Sequence, residues 1–256
     1  MKVTILGSGA AGGVPSISRG WGACDPANPR NRRRRPSIMV EEGGARLLVD
    51  TSPDCREQLL DAGVQSISGV LFTHDHADHL HGIDDLREVN RAMQASLPIF
   101  AAPEVVDSIR RRFPYVLGSV EEGQSIYKPM LDAHEIDGPF TVAGLRVVPY
   151  DQDHGYCRTL GFRFGDFAYS TDVVDMPQSS FDALAGVRVW VVGCLSFQPH
   201  PTHAHLDKVL EWISRIAPER AYLTHMTPSM DYDSLRARLP AGVEPAYDGL
   251  EIDVPG

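Results

Sequence analysis

The sequence predicts an α/β sandwich, two β-sheets packed face to face with helices outside. Three observations predict it. Short apolar runs bounded by glycine and other turn residues recur along the chain, as strands do. Segments with helical spacing lie between some of them, so strands and a few helices share one span. No fixed-period repeat and no Gly/Ser- or Pro-rich linker divides the 256 residues, which are therefore expected to form one domain, 1–256.

The elements follow in order. Residues 2–7 form a short apolar strand ending in Gly7. Residues 37–42 and 45–50 read as a hairpin around Gly43-Gly44. Residues 55–62 read as a helix closed by Gly63, and 69–73 as a buried strand. Pro103 opens a helix over 103–113, because its fixed φ and missing N–H suit a first turn. Residues 145–150, 160–164 and 167–170 read as strands. The nearly continuous apolar run over 187–193 is the pattern of a strand covered on both faces. Leu206, Val209, Leu210, Ile213 and Ile216 share one helical face. Residues 221–224 make a further short strand, and 243–254 return to strand-like alternation.

Composition removes several function classes. An apolar fraction of 43% with 23% charged residues belongs to a cored protein, not a disordered one. Lys plus Arg is 24 against 34 Asp plus Glu, a net charge of −10 that argues against a stable nucleic-acid partner. No apolar run approaches the ~20 residues of a membrane span, and no membrane association or leader segment is expected. Cys24, Cys55, Cys157 and Cys194 lie far apart with no C-x-x-C pair, which points to a reducing, cytoplasmic setting.

The densest chemical signal is Thr73-His74-Asp75-His76-Ala77-Asp78-His79, directly after a buried strand. In an extended loop His74 and His76 project the same way, because side chains alternate. Asp78 and His79 begin the next turn and face a neighbouring point. Imidazole and carboxylate suit zinc or manganese, so this loop offers two metals two ligands each. His154, Asp172 and His225 each fall just past a predicted strand end, where the loops of an α/β scaffold gather, and complete the ligand set.

This pattern, H-x-H-x-D-H followed by a distant His, an Asp and a final His, resembles the metallo-β-lactamase-fold hydrolases over nearly the whole chain. The resemblance implies a four-layer αββα sandwich with two divalent metal ions at one edge. It implies that His74, His76 and His154 hold one metal, that Asp78, His79 and His225 hold the other, and that Asp172 bridges them. Asp50 matches an early aspartate that orients the histidine loop. Gly7-Ser8-Gly9-Ala10-Ala11-Gly12-Gly13-Val14-Pro15, with Asn28 to Arg33, resembles the PhnP-type phosphodiesterase subgroup. His203 matches the subgroup's histidine beside the metals. That subgroup carries a structural zinc on three cysteines and a histidine. Here one cysteine, Cys24, and Pro228 stand in those regions, so no such zinc is expected.

The implied function is a metal-dependent phosphodiesterase acting on a small cyclic or nucleotide-like phosphate ester through a metal-activated hydroxide. Asp78 and His203 take the catalytic roles, and the resemblance also implies a homodimer. Hydrolysis of a lactone, ester or thioester at the same centre stays open, as does a non-catalytic metal- or ligand-binding role. Gly7-x-Gly9-x-x-Gly12 is not read as a dinucleotide fingerprint, since Pro15 and an Arg-rich stretch follow where a helix is needed. Instead it is expected to be a tight turn that lets backbone approach the metals. Arg30, Arg33 and Arg158 are candidate phosphate contacts, because a guanidinium pairs with phosphate oxygens in a fork. The alternative for the run from Arg30 to Arg35 is an internally paired or solvated face.

Overall fold

The computed structural model describes residues 1–255 except 122 and 124. The chain enters as β1 (Lys2–Gly7) and passes through an arm of turns with a short 3-10 segment over Pro29–Asn31. It returns as β2 (Ser37–Glu42) and β3 (Ala45–Val49), the expected antiparallel hairpin with Gly43 and Gly44 at positive φ. α1 (Cys55–Asp61) leads to β4 (Gly69–Leu71), then α2 (Ala77–Leu80) and α3 (Leu86–Met93) to β5 (Leu97–Ala101). α4 (Pro103–Arg112) leads to β6 (Leu131–Glu135). The second half runs β7 (Phe140–Val142), β8 (Leu145–Asp153), β9 (Arg158–Phe164) and β10 (Phe167–Ser170). α5 (Gln178–Leu184), β11 (Val189–Gly193), α6 (Leu206–Ile216) and β12 (Arg220–Thr224) follow. α7 (Tyr232–Arg236), β13 (Val243–Pro245) and β14 (Glu251–Asp253) end the chain.

These strands make two seven-stranded sheets, ordered β14-β1-β2-β3-β4-β5-β6 and β13-β12-β11-β10-β9-β8-β7. The run from β3 to β6 is parallel in the first, and the run from β10 to β13 in the second. Parallel strands bring their carboxyl ends to a common rim, the place where ligands bind in such sheets.

One buried cluster joins Val3, Ile5 and Val49 of the first sheet to Phe162, Phe167 and Val191 of the second, so the sheets pack face to face. Leu59, Leu86 and Ile109 of α1, α3 and α4 join it from the helices that flank the first sheet. A second cluster sets Trp190 and Val192 against Phe181 of α5 and Val209 and Trp212 of α6. β11 feeds both clusters, which is why its sequence is apolar without alternation. The result is the expected αββα sandwich.

The expected strand-like stretch over 243–254 corresponds to two strands in different sheets. β13 pairs β12, whereas β14 pairs β1. A turn closed by Leu250 N–H to the Tyr247 carbonyl, and tied to β1 by Gly249 N–H to the Ile5 carbonyl, carries the chain across. The short helices α2, α3, α5 and α7 and the strands β5, β6 and β7 were not anticipated. β6 and β7 are edge strands, and β6 buries only Leu131, so neither carries a two-faced apolar pattern.

Candidate metal centre

Every predicted ligand comes from the rim at the strand ends. Asp50 follows β3, His74 to His79 follow β4, His154 follows β8, Asp172 follows β10 and His225 follows β12. Asp50, Asp172 and His225 have positive φ, at 65°, 48° and 58°. Side-chain-bearing residues rarely adopt this left-handed conformation, which costs on the order of 1–3 kcal/mol each and collects at functional sites. His76 caps α2 in an extended conformation, and Asp78 and His79 occupy that helix's first turn. The loop therefore changes direction between its two donor pairs, as the spacing predicts.

The side chains converge in two groups. His74, His76, His154 and Asp172 form one, and Asp78, His79, His225 and Asp172 the other; in each, the candidate ligand atoms lie within 4.8 Å of one another. Asp172 belongs to both. Its Oδ1 stands 3.1 Å from His79 Nε2 and 3.0 Å from His225 Nε2, and its Oδ2 3.7 Å from His74 Nε2 and 3.5 Å from His154 Nε2. Two ligands bonded at 2.0–2.1 Å to one tetrahedral ion stand about 3.3 Å apart, so these spacings fit donors sharing a cation. Hydrogen bonding does not account for them. His74 Nε2 and His79 Nε2 are buried without a hydrogen-bond partner. Buried polar atoms are otherwise nearly always paired, and a cation in each group would satisfy them. The donors present thus fit divalent metal ions.

The other ring nitrogens set the tautomers. His79 Nδ1 lies 2.6 Å from Asp50 Oδ2 and donates its proton there, leaving the Nε2 lone pair for a metal. Thr73 Oγ1 donates to the same carboxylate oxygen at 2.9 Å and so accepts from His74 Nδ1 at 3.0 Å. Asp50, fully buried, thereby orients two imidazoles, and the Thr73 N–H donates to its Oδ1 at 2.8 Å. His154 Nδ1 donates to the Thr202 carbonyl at 2.7 Å. The sequence points to Asp50 only through resemblance. The parts of Thr73 and the Thr202 carbonyl have no sequence signal, since any residue supplies a carbonyl.

The donors' own charges follow from this crowding. Burial would raise the Asp172 carboxyl, but His225, His79 and His74 outweigh it and hold it well below the usual carboxylate range. Burial likewise opposes the charged form of His79, yet Asp172, Asp78 and Asp50 hold it well above the ordinary histidine value, so the same carboxylates that favour a proton on Nε2 would favour a metal ion in its place. His74 goes the other way, pushed down by burial and by His79. His203 stands between the groups, stacked on His225 at 4.9 Å and edge-on to His154 at 4.7 Å between ring centroids. Burial and the neighbouring His225 push it down to about 3, so it is a neutral ring at neutral pH.

The candidate phosphate contacts have partners within the chain. Arg33, expected at the substrate, is instead turned inward. It is 2% exposed, and its guanidinium donates to the Met230 carbonyl at 2.7 Å and faces Cys24 Sγ at 3.8 Å. Arg30 lies over the rings of Tyr232 and Tyr247, 4.9 and 4.8 Å from their centroids. Arg158 pairs with Asp151, its Nε 2.7 Å from Oδ1. Arg34 pairs with Asp61 and Asp248, and Arg35 with Asp54. Internal pairing thus describes much of the cluster. The glycine turn does approach the centre: Met226, next to His225, donates N–H to the Ser8 carbonyl and accepts from Ala10 N–H. A Cβ on Gly7 would stand 1.9 Å from the Arg35 carbonyl oxygen, so only glycine fits there.

Comparison with known proteins places the chain. A model of the Beta-lactamase superfamily domain matches residues 45–226, a span holding every predicted ligand. A crystal structure described as a new diphosphatase from the PhnP family superposes with a TM-score of 0.91 at 32% identity, covering 99% of this chain and 98% of its own. An octanoyltransferase of Porphyromonas gingivalis is 33% identical over 257 residues, which is 98% of this chain and 51% of that protein. A ribonuclease Z of a Bradyrhizobium species is 28% identical over 142 residues, 53% of this chain and 46% of its own. The chain spans about half the length of these two curated relatives. Sandwich, rim-borne His/Asp groups and matching model agree: the chain belongs to the β-lactamase superfamily, within the metallo-β-lactamase fold.

Proposed function

We propose that the protein is a metal-dependent phosphodiesterase for a small cyclic or nucleotide-like phosphate ester, acting as one domain over 1–256. The observation that carries this reading is the pair of donor groups sharing Asp172, with buried Nε2 atoms left for cations. The likeness to a PhnP-family diphosphatase across 99% of the chain supports phosphorus as the centre attacked. His74, His76, His154 and Asp172 would hold one cation, and Asp78, His79, His225 and Asp172 the other; imidazole with carboxylate suits zinc or manganese. When bound, such a pair supplies an activated water near neutral pH and neutralises phosphoryl oxygens.

The chain's own residues do the rest. Asp50 keeps His79, and through Thr73 His74, in the tautomer that presents Nε2. Asp78, held well below the usual carboxylate range by His79 and His225 against the opposing effect of burial, stays ionised and accepts a hydrogen bond from the attacking water. His203, neutral and in contact with both groups, donates its N–H to a phosphoryl oxygen or to the departing alkoxide. Such help is worth about 100- to 10,000-fold.

Chelation should abolish phosphodiester turnover, and added zinc or manganese should restore it. His203→Ala should lower kcat by about 100-fold or more with metal content unchanged. Loss of metal from that variant, or faster turnover of a lactone or thioester than of any phosphodiester, would overturn the assignment.

A further inference from the structure

We propose that the turn after β8 and the loop before α6 form a substrate-recognition subsite, in which Tyr156 stacks on a planar ring such as a nucleobase and His200 donates a hydrogen bond to it. The inference rests on the phosphate-ester reading and names the part of the substrate beyond the phosphate.

The turn is built tightly against the donor groups. His154 N–H donates to the Cys157 carbonyl at 3.0 Å, and Tyr156 N–H to the His154 carbonyl at 3.0 Å. Gly155 N–H donates to Asp153 Oδ1 at 2.7 Å. Gly155 has φ +81°, and a Cβ there would stand 2.8 Å from the Pro201 carbonyl oxygen, so the turn lies directly on residues 201–202. On its other flank Cys157 Sγ is 4.0 Å from His76 Nε2. Tyr156 is thus fixed between two residues that are, or touch, members of the first donor group. Its side chain is nevertheless left 88% exposed. An aromatic ring on a rigid turn offers a large contact face with only two torsions to freeze on binding.

His200 stands on the facing loop. Its Nδ1 accepts from the Thr202 N–H at 3.3 Å, so Nε2, turned away from that bond, is the nitrogen that carries a proton. His200 is exposed, and its ring lies 5.3 Å from His203, one ring outward from the centre. A phosphoryl group held at the donors, with His203 beside it, leaves the rest of a substrate to pass over this rim. In the proposed pose the base lies against the Tyr156 ring and accepts from the His200 N–H. Every nucleobase has a π-face and ring acceptors, so a nucleoside phosphate fits and a bare sugar phosphate leaves the subsite empty.

Calorimetric titration of the metal-loaded protein with adenosine monophosphate and with ribose phosphate tests this directly. The two probes differ by the base. Adenosine monophosphate should bind about tenfold tighter, ~1.4 kcal/mol, within the range of base–aromatic stacking. Tyr156→Ala should erase the difference, Tyr156→Phe should keep it, and His200→Ala should reduce it about threefold while leaving ribose phosphate unchanged. Equal affinity for the two probes, or a preference that survives Tyr156→Ala, overturns the subsite and leaves the phosphodiesterase reading standing. If neither probe binds and no phosphodiester is cleaved, the phosphate-ester reading fails, and this inference with it.

Discussion

Asp50→Asn is the sharpest perturbation of the centre, because it changes one atom and leaves the shape. The carboxylate accepts three hydrogen bonds, from Thr73 N–H at 2.8 Å, Thr73 Oγ1 at 2.9 Å and His79 Nδ1 at 2.6 Å, in a fully buried position. An amide has one acceptor and one donor end. With its NH2 toward Thr73 N–H, two donors face each other, and a buried donor without a partner costs about 1–3 kcal/mol. With its NH2 toward His79, the imidazole must accept at Nδ1, and its proton moves to Nε2, the atom aimed at the second donor group. Either arrangement weakens metal binding, and loss of such an orienting partner costs about 10- to 100-fold in affinity. The assay is competition for zinc between the metal-free protein and a chromophoric chelator, with thermal melting alongside. The melting temperature of the metal-free variant should fall by about 2–4 °C per kcal/mol lost. Zinc affinity equal to that of the native protein would refute the reasoning, even if the melting temperature fell.

Three further outcomes follow from named contacts. His225→Gly and His225→Ala remove the same imidazole, but φ of 58° strains alanine and not glycine. Metal-free His225→Gly should therefore be the more stable by about 1 kcal/mol, read as a melting temperature about 2–4 °C higher. Arg33→Met should destabilise by about 1–3 kcal/mol, since it orphans the Met230 carbonyl, while KM stays within about twofold; a large KM increase would return Arg33 to the substrate. Asp231 caps α7 through the Ser234 N–H and accepts from Asn31, and these bonds hold its carboxyl down to about 2 against the opposing effect of burial. A carboxylate depressed in the folded state stabilises fully above its unfolded value and loses that contribution as pH falls toward the folded one. Asp231→Ala should thus cost about 1 kcal/mol at pH 5, the gap closing toward pH 2 in melts of the metal-free protein.

Local pattern explains what was legible in the sequence. Short apolar runs bounded by turn residues, and the uninterrupted run over 187–193, disclosed strands in both sheets but not β5, β6 or β7. The spacing His74, His76, Asp78, His79 disclosed donors of metal-binding type in alternating directions. Residues 243–254 show where local pattern stops, for their alternation is real but the two strands belong to opposite sheets. Arg33 shows it again. Five arginines within six positions left a phosphate clamp and an internally paired face both open, and the fold buries one against Met230 and pairs others with Asp54, Asp61 and Asp248.

The sequence by itself determined the kinds of donor available and the periodicities that make two sheets and flanking helices. These depend on residue type and on neighbours a few positions away. The places of Asp172 between two groups and of Asp50 behind the histidine loop came only through resemblance; only the tertiary structure decided that Asp50 sets the His79 tautomer directly and the His74 tautomer through Thr73, and that Tyr156 is left bare. Those relations join residues 50, 74, 172 and 225. Strand order and left-handed turns at the strand ends bring them within a few ångströms, and no short-range pattern carries that information.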